Sequence, residues 1–232
     1  MNKMTILKNQ IEKYNPIALY RRKRMQRRLT NREVTLFTPD CLGGILLHDL
    51  SLRFLSPTVN LMMMQPDFLT FLMDYETYLS KGTLKFFHHK EFACPCAILN
   101  AGDDVPEVPL HFTHYGSEED ASEKWFSRAK RIRRDNIFVV IEERDGITKE
   151  DLLKLKELKV KGVCAFTCNE YPDIPYAVYL PEFHKNGEVG NILTRNYLTD
   201  ARKYEDYFDF VGWFNEADGG DYDVSKFIRM TL

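Results

Sequence analysis

The chain has 232 residues, 44% hydrophobic and 28% charged, with a net charge of −2. That is enough apolar material for one substantial core, and no apolar stretch approaches the roughly 18–20 residues of a membrane span, so whole-chain disorder and a helical membrane protein are excluded. Cys41, Cys94, Cys96, Cys164 and Cys168 lack the paired spacings of a zinc site or a secreted disulfide framework, which points to free thiols and a cytoplasmic protein.

Charge is unevenly distributed. Residues 1–30 hold nine cations against Glu12 alone, a charge of +8 that leaves −10 for the rest. The cations at 21–28 lead into polar residues rather than an apolar signal core. This first segment reads as a basic helical arm with Ile6, Ile11, Tyr14, Leu19 and Met25 scattered among the charges and one interruption at Pro16. Two fates suit it: adhesion to an anionic membrane surface from the cytoplasmic side, or docking on the acidic body of its own chain or a neighbour. In the first case, removing residues 1–28 leaves a folded body.

The body, 31–232, alternates short apolar runs with amphipathic stretches. A strand is expected at 34–38, a helix at 43–54, a strand at 58–64, and a helix from Pro66 onward. The middle is richer in strands, at 83–88, 96–100 and 108–115. Ser117 is placed to cap a helix whose first turn carries Glu118, Glu119 and Asp120. The continuously apolar 137–141 reads as a central strand, followed by a helix from Thr148 and strands at 161–167 and 176–180; the acidic, aromatic region 197–232 reads as helical, with an interruption at Asp218-Gly219-Gly220. Strand, helix, strand in this order predicts a three-layer α/β fold, with a mixed, partly parallel sheet flanked by helices.

Three segments could carry chemistry. In Asp40-Cys41-Leu42-Gly43-Gly44 the glycines allow close backbone approach at a helix start, where unpaired N–H groups favour a phosphate; Asp40 and His48 could act as acid or base there. His111 and His114 lie near a strand end, where α/β sheets gather ligands, and His114 is the stronger general-base candidate because it is nearer the terminus. The strand period puts the two on opposite faces, so they form a poor metal pair. In the helix that follows, Trp125 could stack on a sugar or base while Arg128 and Arg131 hold a phosphate, and Asp145 closes the adjacent strand. No metal set or known cofactor fingerprint is present. Asp221-Tyr222-Asp223 is the sole near match to an Asp-x-Asp motif.

The ordered set Asp40-Cys41-Leu42-Gly43-Gly44, Leu55-Ser56-Pro57-Thr58-Val59-Asn60, His114-Tyr115, Ala121-Ser122-Glu123-Lys124-Trp125, Arg128, Arg131-Ile132, Asp135-Asn136 and Arg144-Asp145-Gly146 resembles a bacterial family of uncharacterised proteins associated with exopolysaccharide and capsule biosynthesis. The resemblance implies a setting in which nucleotide sugars, acyl donors or lipid-linked saccharides are handled. The resulting expectation is a transferase using a phosphate-containing donor and a saccharide acceptor, with glycosyl transfer favoured. Sugar O-acyl transfer and a non-catalytic membrane-surface component are the alternatives. Nucleic acid is not an expected partner, because a body of charge −10 repels phosphate.

Overall fold

The computed structural model describes residues 15–229; residues 1–14 of the basic arm and 230–232 lie outside that range. Strands β1 (Thr35–Phe37), β5 (Ile137–Glu142), β6 (Gly162–Thr167) and β7 (Ala177–Tyr179) form a parallel sheet in the order β1-β5-β6-β7. Strands β2 (Thr83–Phe87), β3 (Cys96–Asn100) and β4 (Val108–His111) form a separate antiparallel sheet, and β8 (His184–Lys185) pairs with β9 (Glu188–Val189). The fold is the expected three-layer α/β, with parallel and antiparallel pairings segregated into different sheets.

Every residue of β5 and β6 is buried, as continuous apolar runs between two helical layers require. The register pairs Leu36 with Phe138 and Phe37 with Val139, so alternate residues of β1 and β5 address opposite faces. On one face Phe138 packs edge-on against Trp213 and Phe214 of α8 (Phe210–Glu216). On the other, Phe37 meets Phe71 of α3 (Gln65–Met73), which meets Trp125 of α5 (Glu118–Ala129). Phe112 bridges Trp125 to Phe86, tying the antiparallel sheet to the same core.

Local signals set several boundaries. Ser117 caps α5 through Asp120 N, and Thr148 with Asp151 forms a reciprocal capping box at α6 (Lys149–Lys154). The helix expected at 43–54 is α2 (Cys41–Asp49), and α4 (Tyr75–Lys81) directly follows α3. The strand expected at 58–64 does not form. Ser56 Oγ accepts from Thr58 N, and Asn60 sits at φ +66°, in the left-handed region, so an extended run is interrupted and only Met62 bridges to His111. The strand expected at 108–115 stops at His111, where residues 113–115 turn back on themselves. Region 197–229 is less helical than expected: α7 (Tyr204–Tyr207) and α8 are short, the expected interruption at 218–220 is present, and much of the remainder is irregular.

Helix α1 (Pro16–Arg28) lies against the acidic body. Asn15 caps it, and Ala18 and the following Leu29 are buried. Arg21 reaches Asp49 at 2.5 Å and Glu205 at 2.6 Å; Arg22 pairs with Asp49 and Asp200, and Arg28 with Asp209. Of the two fates open to the arm, residues 15–28 show docking on the chain's own body.

Candidate functional site

At the carboxyl end of β1 the chain turns through Thr38, Pro39 and Asp40 into α2. Asp40 is the N-cap, its Oδ1 accepting from Leu42 N at 2.8 Å. Cys41 is therefore the first residue of the helix. Its Sγ lies 3.1 Å from His114 Nε2, so the strand-to-helix junction and the segment after β4 meet. They open onto a cleft of about 800 Å³ that Gly44, His48, Asn60, Arg22, Arg195 and Arg202 also line.

Several contacts fix this geometry. A Cβ on Gly43 would stand 2.5 Å from Thr38 Oγ1, and one on Gly44 would stand 2.1 Å from Asn60 Oδ1. The glycines thus let α2 lie against Thr38 and Asn60, inside its first turn. Tyr115, next to His114, donates its hydroxyl to Val59 O at 2.7 Å, and Arg128 Nη1 donates to both that carbonyl at 3.0 Å and the Tyr115 oxygen at 2.7 Å. Arg128 braces the chain on either side of the cleft. It is buried and is not among the groups lining the opening.

Burial and the neighbouring Asp40 carboxylate push the Cys41 thiol up, with a hydrogen bond involving Thr113 opposing them. At neutral pH the Cys41 thiol therefore rests protonated beside the His114 ring. Helix geometry leaves the first-turn N–H groups of Cys41 and Gly43 without intrahelical acceptors, Asp40 having taken that of Leu42. A thiol, an imidazole and amides without intrahelical acceptors occur at one helix end.

The cleft wall is basic. Arg195 Nη1 contacts Asp200 Oδ1 at 3.1 Å, Arg202 Nη1 donates to Leu193 O at 3.1 Å, and Arg22 contacts Asp49 at 2.9 Å. Arg22, Arg195 and Arg202 give the wall its cationic lining, with Asp49 and Asp200 among them. His48 is exposed on the rim, with Nδ1 at 3.6 Å from Asp49 Oδ1.

Other expected site residues fall elsewhere. His111 is buried, with Nδ1 at 3.4 Å from Cys96 Sγ and its ring against Phe92, so it is separate from the cleft. Trp125 is 1% exposed in the aromatic core, which leaves no free face for stacking on a ligand. Arg131 folds back on Ser127 through its carbonyl and hydroxyl, each at 2.9 Å, and does not line the cleft. Asp145 accepts from Gln65 N at 3.3 Å beside Arg144, which spans Asp40 and the buried Glu142. Asp221 and Asp223 accept turn N–H groups at 3.2 and 2.8 Å. No group of three side chains suited to holding a metal ion occurs among the described residues.

Sequence reasoning passed over Cys41 as a reacting group, although a cysteine immediately after an N-cap Asp is a readable signal. Asn60 stood in the Leu55–Asn60 motif without a role assigned to it, and Arg195 and Arg202 had no signal, because they reach the cleft only through folding.

These features define an α/β protein with a cysteine–histidine pair in a basic cleft at the carboxyl edge of its parallel sheet. The chain belongs to the family described as "Domain of unknown function (DUF1919)", which matches residues 13–215. An uncharacterized protein of Haemophilus influenzae is 35% identical over 217 residues, covering 94% of this chain and all of that protein.

Proposed function

We propose that the chain is an acyltransferase that moves an acyl group from a phosphate-bearing thioester donor to a saccharide hydroxyl, with Cys41 as nucleophile and His114 as general base. The observation that supports this reading best is the 3.1 Å contact between Cys41 Sγ and His114 Nε2 at an open cleft. Because the resting thiol is protonated, His114 takes its proton as sulfur attacks the acyl carbon. The donor's C–S bond breaks, its thiolate accepts that proton, and the acyl group stays on Cys41. His114 next takes the proton of the acceptor hydroxyl, whose oxygen attacks the thioester and releases Cys41 as thiolate, which recovers the proton from His114. First-turn amides of α2 offer stabilisation to the oxyanion in both steps, and the arginine wall suits the donor phosphates. The saccharide acceptor and a cytoplasmic setting come from the sequence resemblance and composition.

The arginines favour a second reading, glycosyl transfer from a nucleotide sugar, with His114 deprotonating the acceptor and Cys41 idle. Calorimetric titration with acetyl-coenzyme A and with UDP-sugars, together with intact-mass spectrometry, separates the two. Acyl transfer predicts binding of the coenzyme thioester and an acyl adduct that Cys41→Ala abolishes. Binding of a UDP-sugar, unaffected by Cys41→Ala and without any adduct, would reject acyl transfer in favour of glycosyl transfer.

A further inference from the structure

Helix α1 has two unlike faces. The inward one carries Ala18, Arg21, Arg22 and Met25, at steps of three, one and three, and is consumed in docking. The outward one begins apolar and ends cationic. Ile17 is 42% exposed, Leu19 41% and Tyr20 69%, while Lys23, Arg24 and Arg27 are exposed and enter no ion pair among the described residues. A second segment extends the apolar end: Asn15 Nδ2 donates to Leu198 O at 2.7 Å, placing the 63% exposed Leu198, next to the exposed Tyr197, beside the start of α1. Five of the exposed large hydrophobic residues thus lie on α1 and in this one adjoining segment.

We propose that the outer face of α1, together with the 197–198 segment, is a docking surface for an anionic lipid bilayer. Isolated exposed hydrophobics need no explanation, but a cluster next to exposed cations has the composition of an interfacial helix. Tyrosines suit the headgroup level, the aliphatic side chains suit the acyl boundary, and Lys23, Arg24 and Arg27 complement anionic headgroups. Docking of α1 on the body supplies rigidity: the helix is already formed and its orientation fixed before it meets a membrane. Arg22, on the flank of the same helix, lines the cleft. The bilayer would therefore lie next to the opening, where a lipid-linked acceptor could be presented. The surface is independent of the acyl-transfer reading, which a negative vesicle result would leave untouched.

The test uses the full chain and sedimentation with vesicles of phosphatidylglycerol and phosphatidylcholine, against phosphatidylcholine alone, at low and high salt. Two surface variants accompany it, K23E/R24E/R27E and L19S/Y20S/L198S. Binding is expected only to anionic vesicles. The charge variant should lose on the order of a hundredfold in partitioning from its three cations. The apolar variant should retain low-salt attraction and lose the binding that survives high salt. Absence of anionic-vesicle binding, or binding that both variants leave unchanged, would overturn the proposal. So would a change of mass in solution that both variants abolish without any vesicle binding, which would assign the face to a second copy of the chain.

Discussion

The carboxyl edge of the parallel sheet and the rim of the antiparallel sheet each bring a cysteine against a histidine. Cys41 and His114 approach to 3.1 Å, Cys96 and His111 to 3.4 Å, and the two histidines are three residues apart in the chain. Their surroundings differ. Cys96 is fully buried and its thiol is pushed up to about 11 by burial and then Cys94, while burial followed by His89 lowers the His111 imidazole; Phe92 covers it at a ring separation of 4.3 Å. Burial disfavours the charged form of both groups and shields them from a substrate. Cys41 is half-buried and His114 exposed, at the mouth of a cleft with an arginine wall. Contact between a nucleophile and a base is thus insufficient for a site; what distinguishes the two pairs is access and a place for the rest of the substrate.

The sharpest way to break this contrast is to replace each histidine with asparagine. H114N should lower turnover by a hundred- to ten-thousandfold while leaving the thermal transition near that of the parent. H111N should do the opposite, costing about 1–3 kcal/mol through lost packing and unpaired polar groups, with activity per folded molecule retained. Turnover and calorimetry on both proteins decide it, and a catalytic defect in folded H111N would dissolve the distinction.

A smaller effect is expected where α1 meets the body. Arg21→Ala leaves Asp49 and Glu205 without their shared cation. Breaking a fully buried pair costs about 3–5 kcal/mol, and the side-chain exposure of 14% on Arg21 reduces the expectation to about 2–3 kcal/mol in urea unfolding. An unchanged midpoint would mean that α1 is a dispensable arm, as removal of residues 1–28 was expected to show.

Two adjacent glutamates sharpen the comparison through pH. Burial alone would raise the Glu143 carboxyl, but hydrogen bonds from Tyr171, Asn169 and Cys168 hold it below the ordinary value. Its stabilisation is therefore present above the ordinary carboxylate range and is lost as pH falls through the depressed folded value. E143Q should lower stability at neutral pH and flatten the acid limb of a stability–pH curve. Glu142 is shifted the other way, well above the ordinary value, by burial first and the Asp40 charge second, with Arg144 opposing. Its contribution is complete below the ordinary value and declines as pH rises through the raised one, so E142Q should flatten the decline at higher pH. Urea unfolding across pH reads both slopes; matching slopes for the two variants would contradict the opposite shifts.

The smallest effect is expected from Arg131→Ala, because the hydrogen bonds of its guanidinium among the described residues go to Ser127, one turn back in α5. Stability should stay within about 0.5 kcal/mol and activity should not change. A loss of donor affinity would restore Arg131 to the site and extend the basic wall along α5.

Where structure depends on neighbours in the chain, the sequence was readable. The apolar run of β5, the Ser117 and Thr148 caps and the α/β order all follow from short-range pattern, whereas α2 starts at Cys41 behind its Asp40 cap, two residues ahead of the expected 43. The 58–64 segment misled because its composition suits a strand, whereas hydroxyl–amide bonding at Ser56 and the left-handed Asn60 turn it. Trp125 and Arg128 have the chemistry of ligand groups, and only packing shows that one fills the core and the other braces Val59.

The sequence by itself determined the class of fold, the basic character of the N-terminal segment and the helix caps at Ser117 and Thr148. Tertiary structure decided which cysteine meets which histidine, which arginines wall the cleft, and which face of α1 is left outward. The reason is physical: those outcomes depend on contacts between residues far apart in the chain, such as Cys41 with His114 and Arg22 with Asp200, and on which side chains the folded body shields from water.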